Sequence, residues 1–99
     1  MISEEKDIKF KSIEDFYSFV DVLRLNLITE NFSETSQKLN VILHEMAYST
    51  SSEFLGDIQV TLIKLKNYHN KNPSQDLLRK IDLVLETIEN AFNIANDKF

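Results

Sequence analysis

The 99-residue chain has no cysteine and no tryptophan, and just one glycine and one proline. Without cysteine there is no disulfide framework, no thiol nucleophile and no cysteine-based metal knuckle. So few glycines and prolines argue against a multi-stranded sheet, because tight hairpins need residues that tolerate positive φ. No stretch approaches the ~20 apolar residues that a membrane-spanning helix requires. Residues 1–11 alternate acids and bases and hold no apolar run fit for a signal peptide. A cytoplasmic protein that does not engage a membrane is expected. Also missing are a glycine-rich phosphate loop, a His-Glu-x-x-His helix and a Gly-x-Ser-x-Gly elbow.

What is present is helical periodicity. Apolar residues make up 42% of the chain and recur every three to four positions in four successive segments. The spacing predicts helices over approximately 12–31, 34–49, 51–70 and 73–96. The first stripe reads Ile13, Phe16, Phe19, Val20, Leu23 and Leu27, opened by Ser12 as N-cap. Leu39, Ile42, Leu43 and Met46 form the second. The third carries Phe54, Leu55, Ile58, Leu62 and Leu65 behind Thr50 and Glu53, which are spaced as in a capping box. The fourth runs from Leu77 and Leu78 through Ile81, Val84, Leu85, Ile88, Ala91 and Phe92 to Ala95, with Asn72 as cap and Pro73 at the first helical position. Connections this short set neighbours antiparallel. The fold expected is all-α: an antiparallel up-down-up-down four-helix bundle with short loops. It forms one unit over residues 12–97, preceded by a loosely ordered arm in which Ile8 and Phe10 find something to pack on.

The stripes leave apolar residues over. Val22 and Leu25 point away from the first stripe, Val41 and Tyr48 flank His44 off the second, Val60 and Ile63 leave the third, and Leu83 and Ile94 leave the fourth. A two-layer bundle should carry charge at most such positions. Their apolar character points either to a widened core with scattered exposed side chains or to an interface, with a partner or with a second copy.

Charge is unevenly distributed. Sixteen acids face eleven bases, for a formal charge of −5. Residues 12–63 hold eight acids against Arg24 and Lys38, whereas residues 64–80 hold Lys64, Lys66, Lys71, Arg79 and Lys80 against Asp76. The basic turn falls at the bundle end that carries Glu30 and Glu34, which should largely neutralise it. Nucleic-acid binding is not expected. The acidic remainder suits a basic protein partner.

Catalytic groups are scarce. His44 falls within a helix, and His69 ends one as a cation at the negative pole of the dipole. Three residues before them stand Val41 and Lys66, so the Glu-x-x-His pair of a di-iron bundle is absent. Neither enzyme activity, nor a cofactor, nor a metal is expected. The least ordinary stretch runs from Tyr48 to Asp57: Ser49, Thr50, Ser51 and Ser52 exceed one cap's needs, and Gly56 sits within helix. A glycine there, costing about 1 kcal/mol relative to alanine, implies close approach by another helix, of this chain or of a partner. The candidate partner-binding residues are Glu14, Asp21, Leu25, His44, Glu45, Tyr48, Ser49, Thr50, Glu53 and Asp57.

Two resemblances follow from these residues. An acidic four-helix bundle with a surface histidine, His44, in the stretch His44-Glu45-Met46-Ala47-Tyr48 resembles the histidine-phosphotransfer domains of phosphorelays. That likeness implies His44 as phosphoryl acceptor; in that family a lysine and a glycine stand three and four residues on, where this chain has Ala47 and Tyr48. In length, charge and helical make-up the chain also resembles small bacterial immunity proteins, which implies a partner occluded by an acidic surface. The leading expectation is a non-enzymatic protein-binding protein of immunity or antitoxin type. The alternatives are a homodimeric structural or regulatory protein and a phosphotransfer module.

Overall fold

Ser12 opens the first helix of the structure, a computed structural model that describes Phe10, residues 12–68 and residues 72–97. The described residues contain four helices and no strand. They are α1 (Ile13–Thr29), α2 (Ser33–His44), α3 (Ser51–Tyr68) and α4 (Gln75–Asp97). Phe10 alone of the N-terminal arm is described, and it packs on Phe16 and Phe19 with ring centroids 5.3 Å away in each case. Ile8, His69 and Lys71 lie outside the described residues, as does the side chain of Ile94.

Local chemistry explains several of the helix boundaries. Ser12 Oγ accepts from the Asp15 amide at 3.2 Å, taking one of the free donors at the start of α1. At the other end, Asn31 adopts φ 70°, the left-handed conformation that a Schellman turn demands. The Phe32 amide then donates to Leu27 O at 2.8 Å and the Asn31 amide to Ile28 O at 3.0 Å. Phe32, buried like Leu27, closes the turn with an apolar contact and leads into α2. A chain poor in glycine makes this turn with asparagine, which tolerates the left-handed region better than most residues.

Several boundaries differ from those the periodicity predicts, α1 ending at Thr29, two residues early. α2 ends at His44 rather than near Ser49, because the Glu45 and Met46 amides both turn to Val41 O at 2.9 Å and the winding stops. Met46 therefore lies outside the helix and is exposed instead of core. Ile13, also expected inside, is exposed in the first turn of α1. α4 begins two residues later than predicted, with Ser74 replacing Asn72 as its cap. Ser74 Oγ accepts from the Leu77 amide at 3.1 Å, while Glu30 takes the Ser74 amide at 2.9 Å and its hydroxyl at 2.5 Å. Thr50 caps α3 as predicted, accepting from the Glu53 amide at 3.2 Å.

The helices pack in a ring, α1 on α2 and α4, and α3 on α2 and α4, and side chains also meet across the α1–α3 diagonal, where Tyr17 stacks on Phe54. Phe16, Val20, Leu23 and Leu27 of α1 face Leu39, Ile42 and Leu43 of α2, Ile58, Leu62 and Leu65 of α3, and Leu77, Ile81, Val84 and Ile88 of α4. Each set repeats at three- and four-residue steps, so one continuous apolar interior forms. Polar ties cross the seams: Lys80 of α4 reaches Asn26 of α1 at 2.8 Å, and Lys66 of α3 reaches Asp82 of α4 at 2.6 Å, while Lys80 also pairs within α4 with Asp76 at 3.3 Å. No helix among the described residues is long and apolar enough to cross a membrane.

Candidate functional site

The corner where α1, α2 and the start of α3 meet gathers most of the aromatic and titratable residues singled out above. On α1, Tyr17, Asp21 and Arg24 fall at steps of four and three residues and so share one side of the helix. The Tyr17 hydroxyl donates to Leu43 O near the end of α2. Its ring stacks on Phe54 of α3, centroids 5.5 Å apart, and meets His44 edge-on at 6.4 Å. Phe54 in turn meets Tyr48 edge-on at 5.7 Å. An aromatic chain thus pins the connection after α2 onto the neighbouring helices. Contacts of this geometry contribute about 0.5–1.5 kcal/mol each beyond burial.

Two carboxylates hang on this frame. Asp21 Oδ1 accepts from Arg24 Nε at 2.8 Å and from His44 Nε2 at 3.0 Å. These donors, His44 first and Arg24 second, hold the Asp21 carboxyl below the usual 3.8 against an opposing cost of partial burial. Asp57 accepts from the Tyr48 hydroxyl at 2.8 Å. Partial burial, then that hydrogen bond, push the Tyr48 hydroxyl up to about 12, so it remains a donor throughout the neutral range.

The remaining predicted residues are placed unequally. Glu45 accepts from Asn40 Nδ2 at 3.3 Å at the end of α2. Glu53 lies exposed in the first turn of α3 beside its cap Thr50, and Ser49 is an exposed bend residue before them. Leu25 is half exposed on α1, in line with Val22 and Ile28 at steps of three. Glu14 occupies the first turn of α1 with no side-chain contact to the corner among the described residues. The corner therefore unites Asp21 with His44, Tyr48 with Asp57, and Thr50 with Glu53. Leu25 and Glu14 stand apart.

Beside the corner an open groove of about 390 Å³ follows the seam of α2 and α3. Lys38 and Val41 line it from α2, Met46 and Tyr48 from the connection, and Asp57 and Val60 from α3. At Gly56 the close approach does not come from this chain's own helices. A β carbon placed on it meets nothing within 4 Å, so no neighbouring helix approaches it.

Three contributors were missed in the sequence. Tyr17 and Arg24 were legible, since their spacing from Asp21 sets them on its side of α1. Met46 was not, because its exposure follows from where α2 stops.

Among the described residues no three His, Asp or Glu side chains converge to hold a metal ion. His44 Nε2 is turned onto Asp21, and Glu45 is its chain neighbour, so a phosphoryl group on that nitrogen would meet carboxylate. Compared with protein-family models, with curated proteins and with solved structures, the chain matches none.

Proposed function

We propose that this chain is a non-enzymatic protein-binding module, an antiparallel up-down-up-down four-helix bundle that covers a basic surface of another protein. The ring of sequential helix neighbours and the short connections support that topology. An immunity or antitoxin type of inhibitor, acting in the cytoplasm by occlusion, is the most specific form of the reading. The observation that carries it is the α1–α2–α3 corner. There Tyr48 and Asp57, tied at 2.8 Å, border an open apolar groove, and Glu45 and Glu53 carry exposed charge nearby. Aromatic anchors beside fixed charge are what interface hot spots use, and charge of one sign speeds encounter with its opposite.

The test begins with capture of a partner from native lysate at low salt and continues with the purified pair. Glu53→Lys together with Asp57→Lys should weaken binding at least tenfold and slow association. Glu86→Lys and Glu89→Lys on α4 should have little effect. A pair indifferent to both the corner charges and salt would sink the reading.

A homodimer is the second reading, favoured by one observation. Val22, Leu25 and Ile28 form an apolar stripe along α1, each about half exposed. In that case the stripe, with apolar residues of α4, would meet its own copy, and the mass in solution would be twice 11.6 kDa.

A further inference from the structure

The groove between α2 and α3 has a form that selects its occupant. It is open along the surface, whereas sites for small molecules bury about 70–90% of their ligand. Its apolar side chains, Val41, Met46 and Val60, come from two helices and the chain joining them. A rod lying in the seam would touch all three at once. An α-helix with its side chains is about 10–12 Å wide and presents a stripe at i, i+3, i+4 and i+7.

Charge then distinguishes between possible helices. Where α2 passes to α3 stand Glu45, Glu53 and Asp57, together with the outward carbonyls of the last turn of α2, the negative pole of its dipole. The cations there are limited. His44 is engaged by Asp21, Lys38 lines the groove, and Lys64 and Lys66 lie past Val60 toward the far end, Lys66 being bound to Asp82. A second copy would bring α1, with Glu14, Asp15 and Asp21 against Arg24, or α4, with Asp82, Glu86 and Glu89 beyond its first turns. Both would set carboxylate against carboxylate, which opposes association.

We infer that the α2–α3 groove seats a basic amphipathic helix of a partner protein, its apolar stripe on Val41, Met46 and Val60 and its lysines or arginines toward Glu45, Glu53 and Asp57. The inference rests on the protein-binding reading above and specifies which element of the partner is held. It also divides the labour: the apolar floor supplies affinity, and the carboxylate rim selects against acidic helices.

The probe is a synthetic 18-residue amphipathic helix with leucines on one side and lysines on the other. Its counterpart carries glutamates for the lysines, and a third peptide keeps the lysines but replaces leucine by serine. Titration into the isotope-labelled full chain should move the amide signals of Val41, Met46, Val60 and Thr61 with the first peptide alone. Val60→Asp decides between groove and mere charge. It adds a carboxylate, so a purely electrostatic association would tighten, whereas seating in the groove should weaken at least tenfold. Val60 is half exposed, and an unchanged melting curve verifies that the variant folds. Met46→Ser, which changes no charge, should also weaken binding. Equal binding of the acidic or serine peptide, tighter binding by the Val60→Asp variant, or shifts elsewhere would each overturn the inference. So would self-association of the free chain that Val60→Asp abolishes. A natural partner that binds this variant at full strength removes the groove and leaves the protein-binding reading intact. A partner insensitive to the rim charges and to salt removes that reading instead.

Discussion

Gly56 occupies the second turn of α3 with open space where a β carbon would stand. An interior helical glycine costs about 0.5–1 kcal/mol relative to alanine, chiefly through the freedom of the unfolded chain. Gly56→Ala is therefore expected to stabilise the protein by that amount, at roughly 4–8 °C in Tm per kcal/mol for a chain of this size. Thermal melts decide it, and a lowered Tm would reveal a close approach to this residue. Asp21 sets a pH dependence. Its carboxyl is held below 3.8 by His44 and Arg24, so its folded value lies beneath its unfolded one. The stabilisation is then complete above the unfolded value and is lost as pH falls through the lowered folded value. Asp21→Asn should be less stable than the wild type at neutral pH, and the gap should narrow below about pH 4. Urea melts on both sides of that value measure the gap, and one that stays constant or widens in acid contradicts the assignment. Of this corner, Asp21, His44, Tyr48 and Asp57 were legible as polar or aromatic residues off the core stripes. Their pairing was not, since it depends on how α1 and α3 flank the end of α2.

At the scale of elements, the turn from α1 to α2 depends on Asn31, whose φ of 70° is costly for residues with a β carbon. Asn31→Ala should cost about 1 kcal/mol, because alanine has no polar side chain to ease the left-handed conformation. Asn31→Gly should equal or exceed the wild type. Denaturant midpoints at constant m-value check both, and an alanine variant as stable as the glycine one would show that the turn relaxes. The same turn explains what periodicity could reveal. The existence of four helices was readable because burial imposes its period on the apolar residues: Phe16, Val20, Leu23 and Leu27 need no neighbour to be recognised. Helix ends answer to other chemistry. Ser74 caps α4 while Glu30, distant in sequence, holds both its amide and its hydroxyl. α2 stops where two amides compete for Val41 O. Neither event leaves a periodic trace, so Met46 was expected in the core and emerges in the groove.

At the scale of the whole molecule, the uncovered apolar features among the described residues include the groove and the α1 stripe of Val22, Leu25 and Ile28, on a chain of net charge −5. Self-association through the stripe must bring two acidic α1 helices together, and seating α1 or α4 of a second copy in the groove would set their carboxylates against Asp57. Near physiological salt the Debye length is about 8 Å, so charges at a contact still interact. The stripe is also narrow: three half-exposed side chains are far from the roughly 800 Å² per partner that stable interfaces bury. The free chain is therefore expected to remain monomeric, with a scattering mass near 11.6 kDa over a wide range of concentration. A basic partner reverses the electrostatic sign. Its association rate should fall steeply as salt rises, while dissociation from an apolar contact changes much less. Stopped-flow measurements across a salt series separate the two rates. A dimeric mass that Leu25→Asp returns to the monomer would instead assign the α1 stripe to a second copy, and the carboxylates along it would then require cations from that copy to offset them.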